Sequence, residues 1–317
     1  MRVLLLADVH GNWAALEAVR ESYDACLFLG DLVDYGPDSG PCIEWVRRRA
    51  YAAVRGNHDH GVAQNVEVQG VGGFRFLTGV TRPATVAALT ADQRRYLADM
   101  PMSRMLTLAG KRFLLVHATP RDPLDEYATA DPNFWAPRLA GLAVDYVCVG
   151  HTHQPYTLQV NGITVINPGS VGLPRDGDAR AAYAVLDGDD VQLKRVEYPV
   201  ERTVQAVQAS SFDPTAKQML VNIYRGGGYL AERKLQLRQR HRFCRLHGAG
   251  AELQCQRHRS GGASTRRARH ARARASKFRR SRSVGTAAGV ASASRQVTGD
   301  CMLCSCDRHR KDSGRWM

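Results

Sequence analysis

Five short apolar runs in this chain each break off at a carboxylate, an amide or an imidazole, and no other feature narrows the possible folds as much. Residues 3–6 run into Asp8 and His10, residues 25–29 into Gly30 and Asp31, and residues 53–54 into Asn57 and His58. Residues 112–116 end at His117, and residues 144–149 end at Gly150, His151 and His153. Short runs of this kind read as buried strands. Helical signals separate the first three: Asn12 can cap a helix in which Trp13, Leu16 and Val19 recur at helical spacing, and a second helix is expected over Ser39–Arg49. Alternating strand and helix predicts an α/β domain with a largely parallel sheet. In such sheets ligands bind beyond the carboxyl ends of the strands, where these polar residues stand.

Further on the rhythm changes. Helical stretches at 84–89 and 91–99 precede strands at 105–108 and 112–116. Residues 156–160 and 163–166 flank Asn161-Gly162, a strong two-residue hairpin signal, and 181–186 and 191–196 flank Gly188-Asp189-Asp190. The second half is thus expected to be richer in antiparallel pairs, with a helix over Val200–Ala209 closing the domain.

Charge divides the chain at about Tyr224. Residues 1–224 carry 21 basic and 25 acidic side chains, a net of −4, whereas residues 225–317 carry 23 and 5, a net of +18. The overall +14 therefore misrepresents both parts. Residues 1–224 read as one domain. Residues 225–317, rich in Arg, Ala, Ser, Gly and His without hydrophobic periodicity, are expected to be a disordered basic tail. The tail admits three readings: a nucleic-acid or polyanion binder, a solvated appendage, or an out-of-frame translation of a GC-rich gene. The third is favoured because the change is abrupt and the first part is already complete. Cys301, Cys304, Cys306 and His309 lack a second pair at zinc-finger spacing, so no structural zinc is expected there. Cys26, Cys42 and Cys148 sit in or beside apolar runs, as reduced core thiols do. Asp8 and His10 cut the N-terminal apolar run too short for an export signal, and no stretch reaches the eighteen apolar residues of a membrane span. A cytoplasmic location is the expectation.

Carboxylates, imidazoles and one amide offered from separate strand ends suit two divalent transition ions. The candidate ligands are Asp8, His10, Asp31, Asn57, His117, His151 and His153. Such a donor set favours Mn²⁺, with Fe, Zn, Ni or Co possible, over Ca²⁺. Asp31 can bridge the ions with its two oxygens. Two ions roughly 3.5–4 Å apart clamp an in-line displacement at phosphorus, and a water they hold ionises near neutral pH. Each residue also has a plainer reading alone: Asp8 and His10 as loop residues, Asp31 as a helix cap, His117 as a core histidine. His151 and His153 alternate on a strand end and can share a site only if the chain turns there, which Gly150 permits. His60 reads as a solvent-exposed loop residue, residues 70–73 as a flexible loop, and Asn167-Pro168-Gly169-Ser170 as a structural turn.

Asp8-Val9-His10, Gly30-Asp31, Gly56-Asn57-His58-Asp59, His117 and Gly150-His151-Thr152-His153 stand in the order of the five blocks of calcineurin-like metallophosphoesterases. The chain resembles that superfamily over about residues 1–200, and most closely its small bacterial and archaeal phosphodiesterase and diadenosine-tetraphosphatase-like branch. The resemblance implies a four-layer α-β-β-α sandwich of two mixed sheets flanked by helices. It implies that Asp8, His10, Asp31 and His153 hold one ion and Asp31, Asn57, His117 and His151 the other. His58 would protonate the leaving oxygen, with Asp59 orienting its ring. Arg55 would steady the phosphate, unless it merely pairs with a surface carboxylate.

Two departures bear on the substrate. Phosphoprotein phosphatases carry Gly-Asp-x-Val-Asp-Arg-Gly where this chain has Gly30-Asp31-Leu32-Val33-Asp34-Tyr35-Gly36, so an arginine is missing. The segment from Ile166 through Asn167-Pro168-Gly169-Ser170 to Arg175 is similar to that of the small phosphodiesterases. A small phosphodiester or nucleotide is therefore expected as substrate. Phosphoprotein hydrolysis is the runner-up within the enzyme class, and a non-catalytic nucleic-acid binder acting through the tail is the rival outside it.

Overall fold

The computed structural model describes residues 1–228 of the chain. The expectations for the basic tail beyond Gly228 lie outside the described residues. The first half runs β1 (Arg2–Leu6), α1 (Trp13–Ala18), β2 (Ala25–Phe28), α2 (Ser39–Arg49), β3 (Ala52–Ala53), α3 (Asn57–Ala63), α4 (Gly73–Ala88) and α5 (Ala91–Asp99). The second half runs β4 (Ser103–Leu108), β5 (Lys111–Val116), α6 (Pro132–Leu139), β6 (Tyr146–Cys148), β7 (Tyr156–Val160) and β8 (Ile163–Asn167). It closes with β9 (Ala181–Asp187), β10 (Asp190–Val196), α7 (Val200–Ala209) and α8 (Pro214–Gly226).

Two mixed five-stranded sheets result, in the orders β10-β9-β1-β2-β3 and β4-β5-β6-β8-β7. Strands β1, β2 and β3 pair in parallel, as do β5, β6 and β8, while the hairpins add antiparallel partners at the edges. Strand β1 shows why its run has no polar alternate. Val3 and Leu5 face the second sheet among Phe113, Leu115 and Ile166, whereas Leu4 and Leu6 face helices α1 and α2. A strand covered on both faces must be apolar at every position. Trp135 and Leu139 of α6 cover the outer face of the second sheet. Helix, sheet, sheet and helix thus make the four layers.

Several helices escape the sequence reading. Helix α4 begins at Gly73, well before the expected residue 84, although it contains Gly79 and Pro83. It persists because Leu77, Val80 and Ala84 pack against α7 and α8, so burial outweighs the helix-breaking residues. The expected flexible loop at 70–73 therefore runs straight into a helix. Helix α8 carries standard signals: the Asp213 side chain accepts from Thr215 and Ala216 N–H, Pro214 opens the helix, and Gly227 closes it at φ 66°. Its last residues pass the boundary expected at Tyr224. Cys26, Cys42 and Cys148 are free and buried, as anticipated.

Asn12 ties three elements together. Its Oδ1 accepts from the N–H of Ala15 (3.2 Å) and the hydroxyl of Thr203 on α7 (2.7 Å), and its Nδ2 donates to the Gly172 carbonyl (2.8 Å). It is fully buried. Asn12→Ala should lower unfolding free energy by about 2–4 kcal/mol, since several buried partners lose their bonds at once. Urea denaturation would measure this; a loss below about 0.5 kcal/mol would show that water replaces the side chain without penalty.

Candidate metal centre

The loops leaving the strands are zipped to one another by main-chain bonds. Asp8 N–H donates to Gly30 O, His10 N–H to Asp31 O and Gly150 N–H to His117 O, at 2.8–3.1 Å. The Asn167–Ser170 turn is structural, as expected, and braces the ligand loops. Ser170 Oγ donates to the Asp8 carbonyl (2.7 Å), and Asn167 Nδ2 to the Gly150 carbonyl (2.8 Å). These braces hold an unusual backbone. Asp8, His10, Asp31, His151 and His153 all have positive φ, between 47° and 66°. Left-handed backbone costs a non-glycine residue on the order of 1 kcal/mol, and such strain concentrates at functional sites. The turn that brings His151 and His153 together is made by the histidines themselves and not by Gly150. Gly150 is needed for close approach: a Cβ there would lie 2.9 Å from the Asp8 carboxylate.

The backbone brings six of the seven candidate ligands into two groups, Asp8 with His10 and His153, and Asp31 with His117 and His151. Within each group the ligand atoms lie within 4.8 Å of one another. Asp31 Oδ2 stands 3.2 Å from His117 Nε2 and 3.7 Å from His10 Nε2, so a single oxygen faces both groups. Its other oxygen, Oδ1, accepts the His58 N–H at 2.9 Å. Asn57, the seventh candidate, opens α3 on the wall of the same cavity.

The donor atoms fit cations. His10 and His117 donate Nδ1–H to the carbonyls of Val33 (2.9 Å) and Leu29 (2.8 Å), and His153 does the same to Leu173. On His10 and His153, which burial keeps neutral, this leaves Nε2 as a lone pair, and on His117 it leaves Nε2 facing Asp31. Yet His10 Nε2 and His153 Nε2 lie 3.2 Å apart, too close for two lone pairs without a positive centre between them. Asp8 Oδ1 and Asn57 Oδ1 are buried and have no hydrogen-bond partner among the described residues. Buried polar atoms are rarely left so, and Asp8 Oδ1 stands 3.3 Å from His153 Nε2 within the first group, where a cation would sit. Burial pushes the Asp8 carboxyl up to about 8. For Asp31 burial opposes charge, but His117, His58 and His10 outweigh it and hold the carboxyl well below its ordinary range. Burial lowers His10 and His153 far below the usual imidazole range and His151 to about 3. His117 is the exception: burial pulls it down, but Asp31 overrides this and raises it to about 10.

Two expectations fail at the cavity wall. Asp59 does not orient His58: its carboxylate accepts the N–H groups of Asp31, Leu32 and Gly56 at 2.7–3.0 Å and anchors the loop after β2. Successive residues on a helix point in different directions, so Asp59 cannot face its neighbour's ring. Asp34 does so instead, with Oδ2 at 2.7 Å from His58 Nδ1, and Arg82 Nη2 pairs with the same oxygen at 2.6 Å. Arg55 turns away from the cavity, and its guanidinium donates to the Ala98 carbonyl in the last turn of α5 at 3.0 Å. Three other arginines line the cavity: Arg75, Arg82, which pairs with Asp34, and Arg175, which lies over the Phe74 ring at 3.7 Å. His60 is half-buried on α3 and lines the cavity, so it is not the exposed loop residue expected.

The family model described as the calcineurin-like phosphoesterase superfamily domain matches residues 1–190. The chain belongs to this superfamily. A metallophosphoesterase from Sphaerobacter thermophilus superposes on this calcineurin-like phosphoesterase with a TM-score of 0.59 at 31% identity, covering 72% of this chain and 99% of that one. An uncharacterised protein of Methanocaldococcus jannaschii is 27% identical over 228 residues, 65% of this chain and 91% of that protein. Phosphodiesterase YfcE of Escherichia coli is 26% identical over 204 residues, 60% of this chain and 89% of YfcE. The calcineurin-like phosphoesterase is accordingly a phosphoric ester hydrolase of a family that uses divalent metals. Among the described residues no helix is long and apolar enough to cross a membrane.

Two measurements test the centre. A Cβ at Gly56 would sit 2.0 Å from Asp31 Oδ1, so Gly56→Ala should cut divalent-ion uptake at least tenfold while the protein stays folded. Unchanged ion content by elemental analysis would show that Asp31 need not stand where it does. With Asp8 raised to about 8 and His117 to about 10, both are protonated at pH 7. Ion uptake at that pH should therefore release protons and weaken as pH falls, read by calorimetry in buffers of different ionisation heat.

Proposed function

We propose that the enzyme hydrolyses phosphodiesters or nucleotides with two divalent ions, Mn²⁺ being the expected native metal. Asp8, His10, Asp31 and His153 would hold one ion, and Asp31, Asn57, His117 and His151 the other. The observation that carries this reading is the single Asp31 oxygen facing two groups of candidate ligands. Ions bound there would lend Lewis acidity to the phosphoryl oxygens and acidify a water for attack.

The surrounding residues do the rest. His58 lines the cavity beside Asp31 and Asn57, with Nδ1 against Asp34 and Nε2 3.3 Å from the Tyr35 hydroxyl. A ring held this way can deliver a proton from Nε2 to the leaving oxygen, and Asp34 balances its charge. Arg82, locked onto Asp34, is a positioning residue for that pair. Arg175 takes the phosphate-steadying part expected of Arg55. Tyr35, standing where phosphoprotein phosphatases carry arginine, is a neutral phenol, and burial pushes its hydroxyl further up to about 12. The cavity of about 450 Å³ has room for a nucleotide, and the YfcE relative is named a phosphodiesterase.

With Mn²⁺ supplied, the protein should hydrolyse a bis-aryl phosphodiester faster than a phosphopeptide; the reverse order would overturn the substrate reading. Asp31→Ala and Asn57→Ala should abolish turnover. His58→Asn should cost about 10²–10⁴-fold with alkyl leaving groups and far less with nitrophenyl esters, which leave unaided. Arg175→Ala should raise KM about tenfold or more, while Arg55→Ala leaves KM nearly unchanged.

A further inference from the structure

We infer that Glu126 is a positioning residue for one of the two ions: it clasps the loop between β5 and α6 so that the Asp125 carbonyl holds His151 in ligating position. The inference rests on the metal assignment above and adds that the two ions are held unequally.

His151 differs from the other three imidazoles. They are buried and tied through Nδ1 to the carbonyls of Val33, Leu29 and Leu173. His151 is only partly buried and is tied through Nε2, which donates to the Asp125 carbonyl at 3.2 Å, leaving Nδ1 for an ion. A ligand whose second nitrogen is anchored on a surface loop is only as fixed as that loop.

The loop, residues 117–131, is folded upon itself. Ala118 N–H donates to Pro123 O and Thr119 N–H to Asp122 O, and Asp122 Oδ1 accepts from the N–H groups of Leu124 and Asp125. Glu126, the next residue, fastens it to the body. Its carboxylate accepts Arg138 Nε at 2.7 Å and Arg138 Nη2 at 2.5 Å, together with the Thr119 hydroxyl at 2.5 Å, and Arg121 pairs with it from the loop side. Arg138 is itself fixed on α6, where it lies over the Phe134 ring at 3.5 Å. A two-pronged guanidinium–carboxylate pair fixes direction as well as distance. Arg138 above all, helped by Thr119, holds the Glu126 carboxyl down at about 2, so the clasp stays charged at any working pH.

The ion of Asp31, His117 and His151 should therefore depend on Glu126, and the ion of Asp8, His10 and His153 should not. Leu124 and Asp125 also line the cavity, so substrate touches the same loop that steadies this ligand.

The test titrates metal-stripped full-length protein with Mn²⁺ by calorimetry. Wild type should take up two ions. Glu126→Ala should weaken one of them about 10–100-fold, the range for loss of an outer support, and leave the other unchanged. His151→Ala should weaken the same ion, and the double variant should be little worse than His151→Ala alone, because both act through one ring. Glu126→Gln, which keeps the shape of the clasp, should lose less and serves if the alanine variant melts. Equal weakening of both ions, no weakening, or additive losses in the double variant would each overturn the inference while leaving the metal assignment standing. A wild type that binds no ions would remove both.

Discussion

Two imidazole nitrogens, on His10 and His153, face each other at 3.2 Å in the buried interior with neither able to offer the other a proton. Much of the molecule exists to make that contact tolerable. The protons that could have relieved it are committed to backbone carbonyls on the far side of each ring. Those carbonyls belong to loops that main-chain bonds and the Ser170 hydroxyl clamp together. A cation supplies what the protein withholds, and its binding free energy becomes part of the folding free energy of the centre.

The layered sheets explain how such a centre is carried. Strands covered on both faces have no freedom to shift register without moving apolar side chains into the wrong layer. Their carboxyl ends are therefore firm places from which to suspend a ligand loop. Helices α4, α7 and α8 form a further packed cluster around Leu77 and Leu220 that reaches Tyr35 and Leu173. Leu173 supplies the carbonyl for His153, so that cluster steadies the centre from a second side.

What could be read from the chain beforehand follows the same physics. Asp8, His10, Asp31, Asn57, His117, His151 and His153 were legible because each ends an apolar run, and a buried strand leaves a polar residue only its end to occupy. Helix α3 was not: Asn57, His58, Asp59 and His60 are chosen for the site, and their polarity erases any amphipathic pattern. Asp34 was invisible because it reaches His58 through a turn at φ 66°, which spacing does not reveal. Its neighbour Tyr35 drew notice only as a missing arginine. Arg55 misled because it stands beside Gly56 in sequence, yet its long side chain finds the unpaired carbonyls at the end of α5. Glu126 gave no sign, since its partners Thr119 and Arg138 meet only in three dimensions.

The left-handed backbone at Asp8, His10, Asp31, His151 and His153 sets robustness against chemistry in this enzyme. Glycine relaxes such a conformation most readily, and at these places it would also erase the donor. Selection for heat resistance alone would drift toward a sturdier protein that had forgotten its reaction. Improvement without that sacrifice has to come from elsewhere, in the outer helices and the apolar layers, where no side chain is asked to hold a charge.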